Sequence, residues 1–557
     1  MTSSPRISAK EWRWALIWSS AILAISCAPY FFAALTSPAG WRFAGILVNP
    51  LDGQSYLAKM QQGVMGEWLF HLTYTPEAHD GALIFTFYLA LGHVAALTGL
   101  PKPFVFHLAR VVAGFGLLFM AFRFTARVTP DPTERRLAFI LLLTASGLGW
   151  LGVILGAFPI DLWVPEALVP YSLYVNPHFP LAMLLMLIIF DQVIRVSVSA
   201  FPVPVRVKPQ KARPDHPKPE PEARSPKLDL KAMAVVGLAA LAMAMILPFA
   251  LLTVWAVLAA FLAWLSIRYH RLPMALIWLT LGVVIISTPV ILYQYWVSTS
   301  NPILAGWGAQ NITPAPGVVD FLLGYGLIGL LALLGASLIF RQNGRDLAGG
   351  ELLVIMWAAV TIVLVYVPFD LQRRLITGLH IPLCILAAIG LCRWLAKSSL
   401  KPDRRRLVIV AVVTIGALGT LLVWLLPLIG TRGSPAGSTA ALFFVREEEQ
   451  AAFNWLQQNA GPDQVILTSP RLGLFVPGET GARAYYGHPF ETVGAKGKAA
   501  QAEAFFRGEI ESVSPPADFI IYGPSEQALG WPEGLANHTV VFSTDNLQIY
   551  RLTNDRE

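Results

Sequence analysis

Runs of about 20 apolar residues recur along this chain, and nothing else narrows its folding choices so far, because in hydrocarbon every backbone amide must bond within its own helix. Such windows fall near 14–36, 104–122, 137–157, 178–197, 232–247, 249–267, 274–296, 318–340, 350–368, 375–392 and 407–430. They predict a polytopic α-helical membrane protein of about 11 transmembrane helices. The apolar stretch 232–267 is too long for one crossing and is divided at Pro248, since proline cannot continue the hydrogen-bond ladder. Composition agrees: 55% of the 557 residues are hydrophobic and only 13% charged, too apolar for a string of soluble domains. The first apolar run is too long for a removable signal and lacks a small-residue cleavage site, so it reads as a permanent anchor.

Lysine and arginine decide the orientation of such a bundle. The segment 81–99 is apolar and long enough to span. If it crossed, however, Arg123, Arg127, Arg135 and Arg136 would face outside together with the basic loop 195–231. It is therefore assigned to a juxtamembrane or re-entrant position in the first outer loop. With that parity most of the 41 basic residues face the cytoplasm, along with the N-terminus, in a plasma membrane. The Pro- and Lys-rich stretch within 198–230 lacks the apolar content to fold and reads as a disordered cytoplasmic loop. From about 431 the composition becomes that of a small α/β domain, with a helix at 447–459 and strands at 464–468, 519–522, 540–542 and 548–550. The chain thus divides into a membrane part, 1–430, and an extracytoplasmic domain, 431–557. Cys27, Cys384 and Cys392 all lie in apolar runs, which argues against a disulfide framework or a thiolate metal site. The small basic surplus, 41 against 34, gives no reason to expect nucleic acid, and no phosphate-binding loop or dinucleotide fingerprint is present. Membrane lipids are the expected surroundings.

Chemistry is best sought in the long outer loop 37–103, which gathers polar residues beside the bilayer. Asp52 precedes the helical-looking stretch 54–62. There it reads either as a helix cap, worth about 1 kcal/mol and the commoner role, or as a general base or metal ligand. Glu77, His79 and Asp80 form either a second acidic site or a solvated turn, without tight metal-ligand spacing. Another outer loop offers Asp161, Glu166 and His178, the histidine suited to a phosphate or sugar contact or to a satisfied structural place. Trp307 and Gln310 suit sugar stacking or an interfacial belt, and Asn311-Ile312-Thr313 matches the glycan-acceptor pattern by chance. The turn-rich, aromatic stretch 477–492 reads as a structural loop rather than a cover over a site. Arg373 and Arg374, two of the few outer cations, stand at phosphate depth, where guanidinium either clamps phosphate or snorkels to lipid head groups.

The outer loop resembles that of the GT-C membrane glycosyltransferases. The resemblance is carried by Asp52, by Tyr56 four residues on, by Gly63 seven after that, by Pro76, and by the apolar juxtamembrane segment 81–99. It covers the first 130 residues best and rests on architecture beyond them. It implies a dolichyl- or polyprenyl-phosphate-sugar-dependent, mannosyltransferase-like enzyme that transfers a sugar with inversion to an acceptor at the outer face. In that scheme Asp52 is the general base, and Arg373, Arg374 and more weakly Arg110 receive the donor phosphate. Tyr56, Glu77, His79, Asp80 and His178 are then candidates for substrate binding. Two departures leave a divalent-cation requirement open: Gly53 stands where many relatives have a second acid, and 75–80 lacks their His-Pro-Pro. Sugar, acceptor and oligomeric state are not legible. The rival classes are a transporter, which would show paired repeats and ionisable groups at the bilayer midplane, and a non-catalytic lipid or envelope assembly protein, in which Asp52 would tolerate replacement.

Overall fold

The computed structural model describes residues 7–200, 229–344, 347–432 and 439–552. Most of the predicted disordered loop 198–230 lies outside the described residues. Helix α1 (Ala9–Leu35) opens on a reciprocal cap in which Ser8 Oγ accepts from the Glu11 amide and the Glu11 carboxylate accepts from the Ser8 amide. A short strand β1 (Trp41–Phe43) and helices α2 (Pro50–Val64) and α3 (Thr86–Thr98) follow. The membrane part continues through α4 (Lys102–Val128), α5 (Pro132–Thr144), α6 (Gly149–Ile154), α7 (Val169–Val175), α8 (His178–Ala200), α9 (Leu230–Ile246) and α10 (Pro248–Tyr269). It ends with α11 (Met274–Ser300), α12 (Pro302–Gln310), α13 (Val318–Asn343), α14 (Gly349–Val365), α15 (His380–Lys397) and α16 (Pro402–Gly430). Among the described residues nine helical stretches are long and apolar enough to cross a membrane, and α9 and α14 are shorter apolar helices of 17 residues. The chain is a multi-pass membrane protein.

Pro248 does divide the long run, with Leu247 outside helical geometry between α9 and α10. Two windows differ from expectation. The run 137–157 is interrupted at 145–148, where the backbone finds partners in neighbouring elements: Ser146 N donates to Gly416 O at 2.7 Å and Leu148 N to Leu323 O at 2.8 Å. Asp161 Oδ2 accepts from Gly147 N and Gly149 N, both at 3.0 Å. Non-helical backbone at bilayer depth survives only with such protein partners, which hydropathy cannot foresee. The window 375–392 begins late, at His380, because residues Gln372–Ile376 form a separate 3₁₀ turn.

Beyond α16 come β2 (Phe444–Arg446), α17 (Glu447–Asn459), β3 (Val465–Leu467), α18 (Pro470–Gly473), α19 (Val476–Thr480), β4 (Arg483–Ala484), α20 (Ala495–Phe506), β5 (Phe519–Tyr522), β6 (Thr539–Ser543) and β7 (Gln548–Arg551). Five of these strands form a mixed sheet in the order β4-β3-β5-β7-β6, with β3 parallel to β4 and β5 and with β7 antiparallel to both its neighbours. Each of the four predicted strands is present. Strand β2 instead pairs antiparallel with β1, placing Trp41 opposite Arg446 and Phe43 opposite Phe444. The loop after α1 and the region after α16 therefore lie on one face of the bundle. The opposite face is held by ion pairs between helix ends: Glu11 with Arg135 at 3.1 Å, and Arg393 with both Glu134 at 3.0 Å and Glu351 at 2.8 Å.

Helix α3, 13 residues long, is a short helix packed on α2. Their contact depends on two glycines. A Cβ on Gly63 would stand 2.1 Å from Leu89 O, and one on Gly92 would stand 2.0 Å from Met60 O. Backbone meets backbone here, so neither position can yield by rotating a side chain. Gly63→Ala is expected to cost about 1–3 kcal/mol and to lower the thermal midpoint of the purified protein, whereas Gly308→Ala, which meets open space, leaves it unchanged.

Candidate active site

Asp52 is the third residue of α2, after Asn49 in left-handed geometry and Pro50 in the first turn. No side chain caps this helix, so the capping role favoured by sequence statistics is not the one Asp52 plays. Among the described residues its carboxylate has neither a hydrogen-bond nor an ion-pair partner. It is half-buried, and the helix N-terminus favours its negative charge. A Cβ on Gly53 would stand 2.4 Å from Ile46 Cγ2, which explains why no second acid follows it here.

One face of α2 carries the polar groups Asp52, Ser55, Tyr56 and Lys59, spaced as neighbours on successive turns. Tyr56 stacks on Tyr88 with ring centres 4.3 Å apart and meets the edge of His178 at 5.3 Å. The Tyr88 hydroxyl lies 2.6 Å from His178 Nδ1. Lys59 is 1% exposed; its Nζ donates to Ser55 Oγ at 2.5 Å and to Glu491 Oε1 at 2.8 Å. Burial alone would raise the Glu491 carboxyl, but the Lys59 and His488 charges and the Lys59 and Ser55 hydrogen bonds outweigh it and hold the group below the usual carboxylate range. The turn-rich stretch after β4 thus reaches α2 directly. Gln310 and Asn311 hold the same turn from the other side, donating to Phe490 O and, from Gln310, to Thr492 O at 2.7 Å. Both Asn311 amide hydrogens are thereby engaged, the other by Trp307 O.

The two arginines stand on the 3₁₀ turn before α15. Glu166, itself 1% exposed, holds Arg374 Nη1 at 3.2 Å and Arg373 Nε at 4.0 Å. Arg373 also lies 4.7 Å over the Trp163 ring. Their segment is fixed by Arg373 N donating to Thr313 O at 3.1 Å and Thr313 N to Asp370 O at 2.8 Å. Burial would depress Arg374, but Glu166, Tyr56 and Asp52 raise it further above the ordinary range. The Asp52 charge is among those that favour the protonated forms of Arg373 and Arg374.

Four expected site residues are committed elsewhere. Arg110 is fully buried, donating to Leu173 O at 2.5 Å and Ser26 Oγ at 3.1 Å and lying 5.1 Å over Tyr30, so its guanidinium is consumed by helix packing. Glu77 pairs with Lys498 at 2.5 Å, and the Lys498 and Thr75 hydrogen bonds outweigh burial to hold its carboxyl below the usual range. The two His79 nitrogens meet Leu72 N and Glu77 O, both at 2.9 Å. Asp80 is exposed, and its backbone carbonyl accepts from Asn301. These last three fasten the loop rather than line the site. Among the described residues no three His, Cys, Asp or Glu side chains gather as a metal-binding group, and two acids of the site, Glu166 and Glu491, are each paired with a cation.

The same architecture occurs in ArnT from Cupriavidus metallidurans. Its apo structure matches with a TM-score of 0.51 at 14% identity over 96% of this chain and 97% of that one. The structure of ArnT bound to undecaprenyl phosphate matches at 0.50 and 15% identity over 98% of each chain. The archaeal oligosaccharyltransferase AglB from Archaeoglobus fulgidus, in complex with an inhibitory peptide and a dolichol-phosphate, gives 0.49 at 13% identity over 99% of this chain and 75% of its own. No protein-family model and no curated protein sequence matches the chain. The chain shares the fold of ArnT.

Sequence reasoning missed Lys59 and Glu491. The signal for Lys59 was present, since Asp52, Ser55, Tyr56 and Lys59 repeat at helical spacing in a helix beside lipid. Replacing Arg110 by Leu is expected to lower stability by about 2 kcal/mol or more, through the carbonyl and hydroxyl left without a donor, while the affinity of the folded fraction for a polyprenyl phosphate stays unchanged.

Proposed function

We propose that this protein is a glycosyltransferase that moves a sugar from a polyprenyl-phosphate donor to an acceptor hydroxyl at the outer face of a plasma membrane, inverting the anomeric carbon. One arrangement carries the reading: an uncommitted carboxylate, Asp52, whose charge acts on two guanidiniums that Glu166 holds in place. Asp52 takes the proton of the acceptor hydroxyl while that oxygen bonds to the anomeric carbon. The bond from that carbon to the phosphate oxygen breaks with its electron pair, and the lipid phosphate departs as an anion. Arg373 and Arg374 receive that charge, which needs compensation more than it needs a proton. Tyr56, one turn after Asp52, and His178, which packs against Tyr56, supply the wall against which a sugar ring is oriented. No step requires a metal in this scheme. The lipid bound to ArnT, undecaprenyl phosphate, is a donor carrier of the proposed class.

The decisive assay incubates purified protein with polyprenyl-phosphate sugars. Asp52→Asn keeps the size of the side chain and removes the base, so kcat is expected to fall by about 10²-fold or more with donor affinity retained. Arg374→Gln is expected to weaken donor binding about tenfold, the loss of one charge-assisted contact. Equal turnover by wild type and Asp52→Asn would remove this mechanism, and an absence of turnover with every donor would favour a transporter or an assembly protein. The proposed orientation has its own check: a cysteine replacing Arg123 in otherwise cysteine-free protein is expected to react with an impermeant reagent only from the cytoplasmic side.

A further inference from the structure

We infer that the buried Lys59–Glu491 ion pair is a latch through which the region after α16 completes the reaction site, with Lys59 and Glu491 as positioning residues for Asp52. The inference rests on the transferase reading above for its kinetic part only. Lys59 lies two turns beyond Asp52 on the same face of α2, 1% exposed and surrounded by aromatic rings: Phe85 at 4.6 Å, Phe70 at 5.3 Å and Tyr56 at 5.7 Å. Rings can soften the charge of an ammonium but do not replace a counter-ion in a dry site. That counter-ion comes from 432 positions away.

The loop that delivers it is preformed. His488 Nδ1 accepts from the amides of Phe490 and Glu491, both at 3.1 Å, and Thr492 Oγ1 accepts from those of Gly487 and His488. Gln310 and Asn311 grip its carbonyls from the segment that also anchors the Arg373 backbone through Thr313. His488 in the same turn feels the charges of Asp52, Glu491 and Lys59 together. A turn clamped to the arginine side by one segment, and to α2 by the Lys59 ion pair and the Ser55 hydrogen bond that Glu491 accepts, sets the distance between the carboxylate and the guanidiniums. If the pair is absent, α2 loses its register against that turn and Asp52 loses its alignment with the donor.

The test uses full-length protein in detergent, with trypsin resistance of the region after α16 and the kinetic constants read in parallel. Lys59→Met and Glu491→Gln are each expected to lower kcat about tenfold or more with donor KM within about twofold, and to hasten cleavage after residue 439. Lys59→Arg, which keeps the pair, is expected to retain both properties. The double variant Lys59→Met with Glu491→Leu removes both charges without leaving either unpaired and is expected to recover trypsin resistance. Single variants with wild-type kcat and wild-type resistance would overturn the latch, as would single variants that lose activity while cleavage stays slow. Should wild-type protein show no transfer with any polyprenyl-phosphate sugar, the transferase reading fails, and the trypsin comparison alone decides whether the latch exists.

Discussion

Charge withdrawn from water at the end of an apolar bundle can be kept only where protein, not lipid, surrounds it, and helix α2 is a place where this chain meets that constraint. One face of it holds a buried ammonium, a half-buried carboxylate and two hydroxyls within a few turns. Alone at the bilayer surface such a helix would turn its polar face to water. Here α3 covers one side through the contact of Gly63 with Gly92, and α19 passes close on the other, with Gly478 beside the Ala58 amide. The polar face is enclosed, and the groups on it acquire fixed positions.

Enclosure also explains the pairing of charges. The site holds three cations, Lys59, Arg373 and Arg374, and three acids, Asp52, Glu166 and Glu491. Glu491 neutralises Lys59 and Glu166 serves both arginines, which leaves Asp52 as the acid without a contact and one guanidinium charge uncompensated at close range. The opposite end of the bundle is different: Glu11, Glu134, Glu351 and Asp191 each sit against arginine, and the pairs join neighbouring helices.

Hydropathy made most of the architecture legible, because each backbone that crosses lipid must close its own hydrogen bonds. What it could not show were the places where one segment completes another. The interruption at 145–148 is satisfied by carbonyls of Gly416 and Leu323, distant in sequence. In the candidate site, Asp52, Tyr56, His178, Arg373 and Arg374 were chosen from residue type and depth; Tyr56 meets His178 edge-on, and the two arginines share Glu166. Arg110 and Glu77 were chosen by the same reasoning and are consumed by Leu173 O and Lys498, partners that only the fold supplies. Glu491 was hidden for the converse reason, since a lone acid in a turn-rich stretch gives no sign that a lysine waits for it more than 400 residues earlier.

The pairing of β1 with β2 reaches further than topology. The strand nearest the start of the chain has its partner only in sequence made after the final span, so a ribosome that has already inserted the whole bundle has not yet produced a finished protein. Membrane insertion and maturation are thereby separated in time, and a chain cut short after α16 would be anchored while its first strand still lacked a partner.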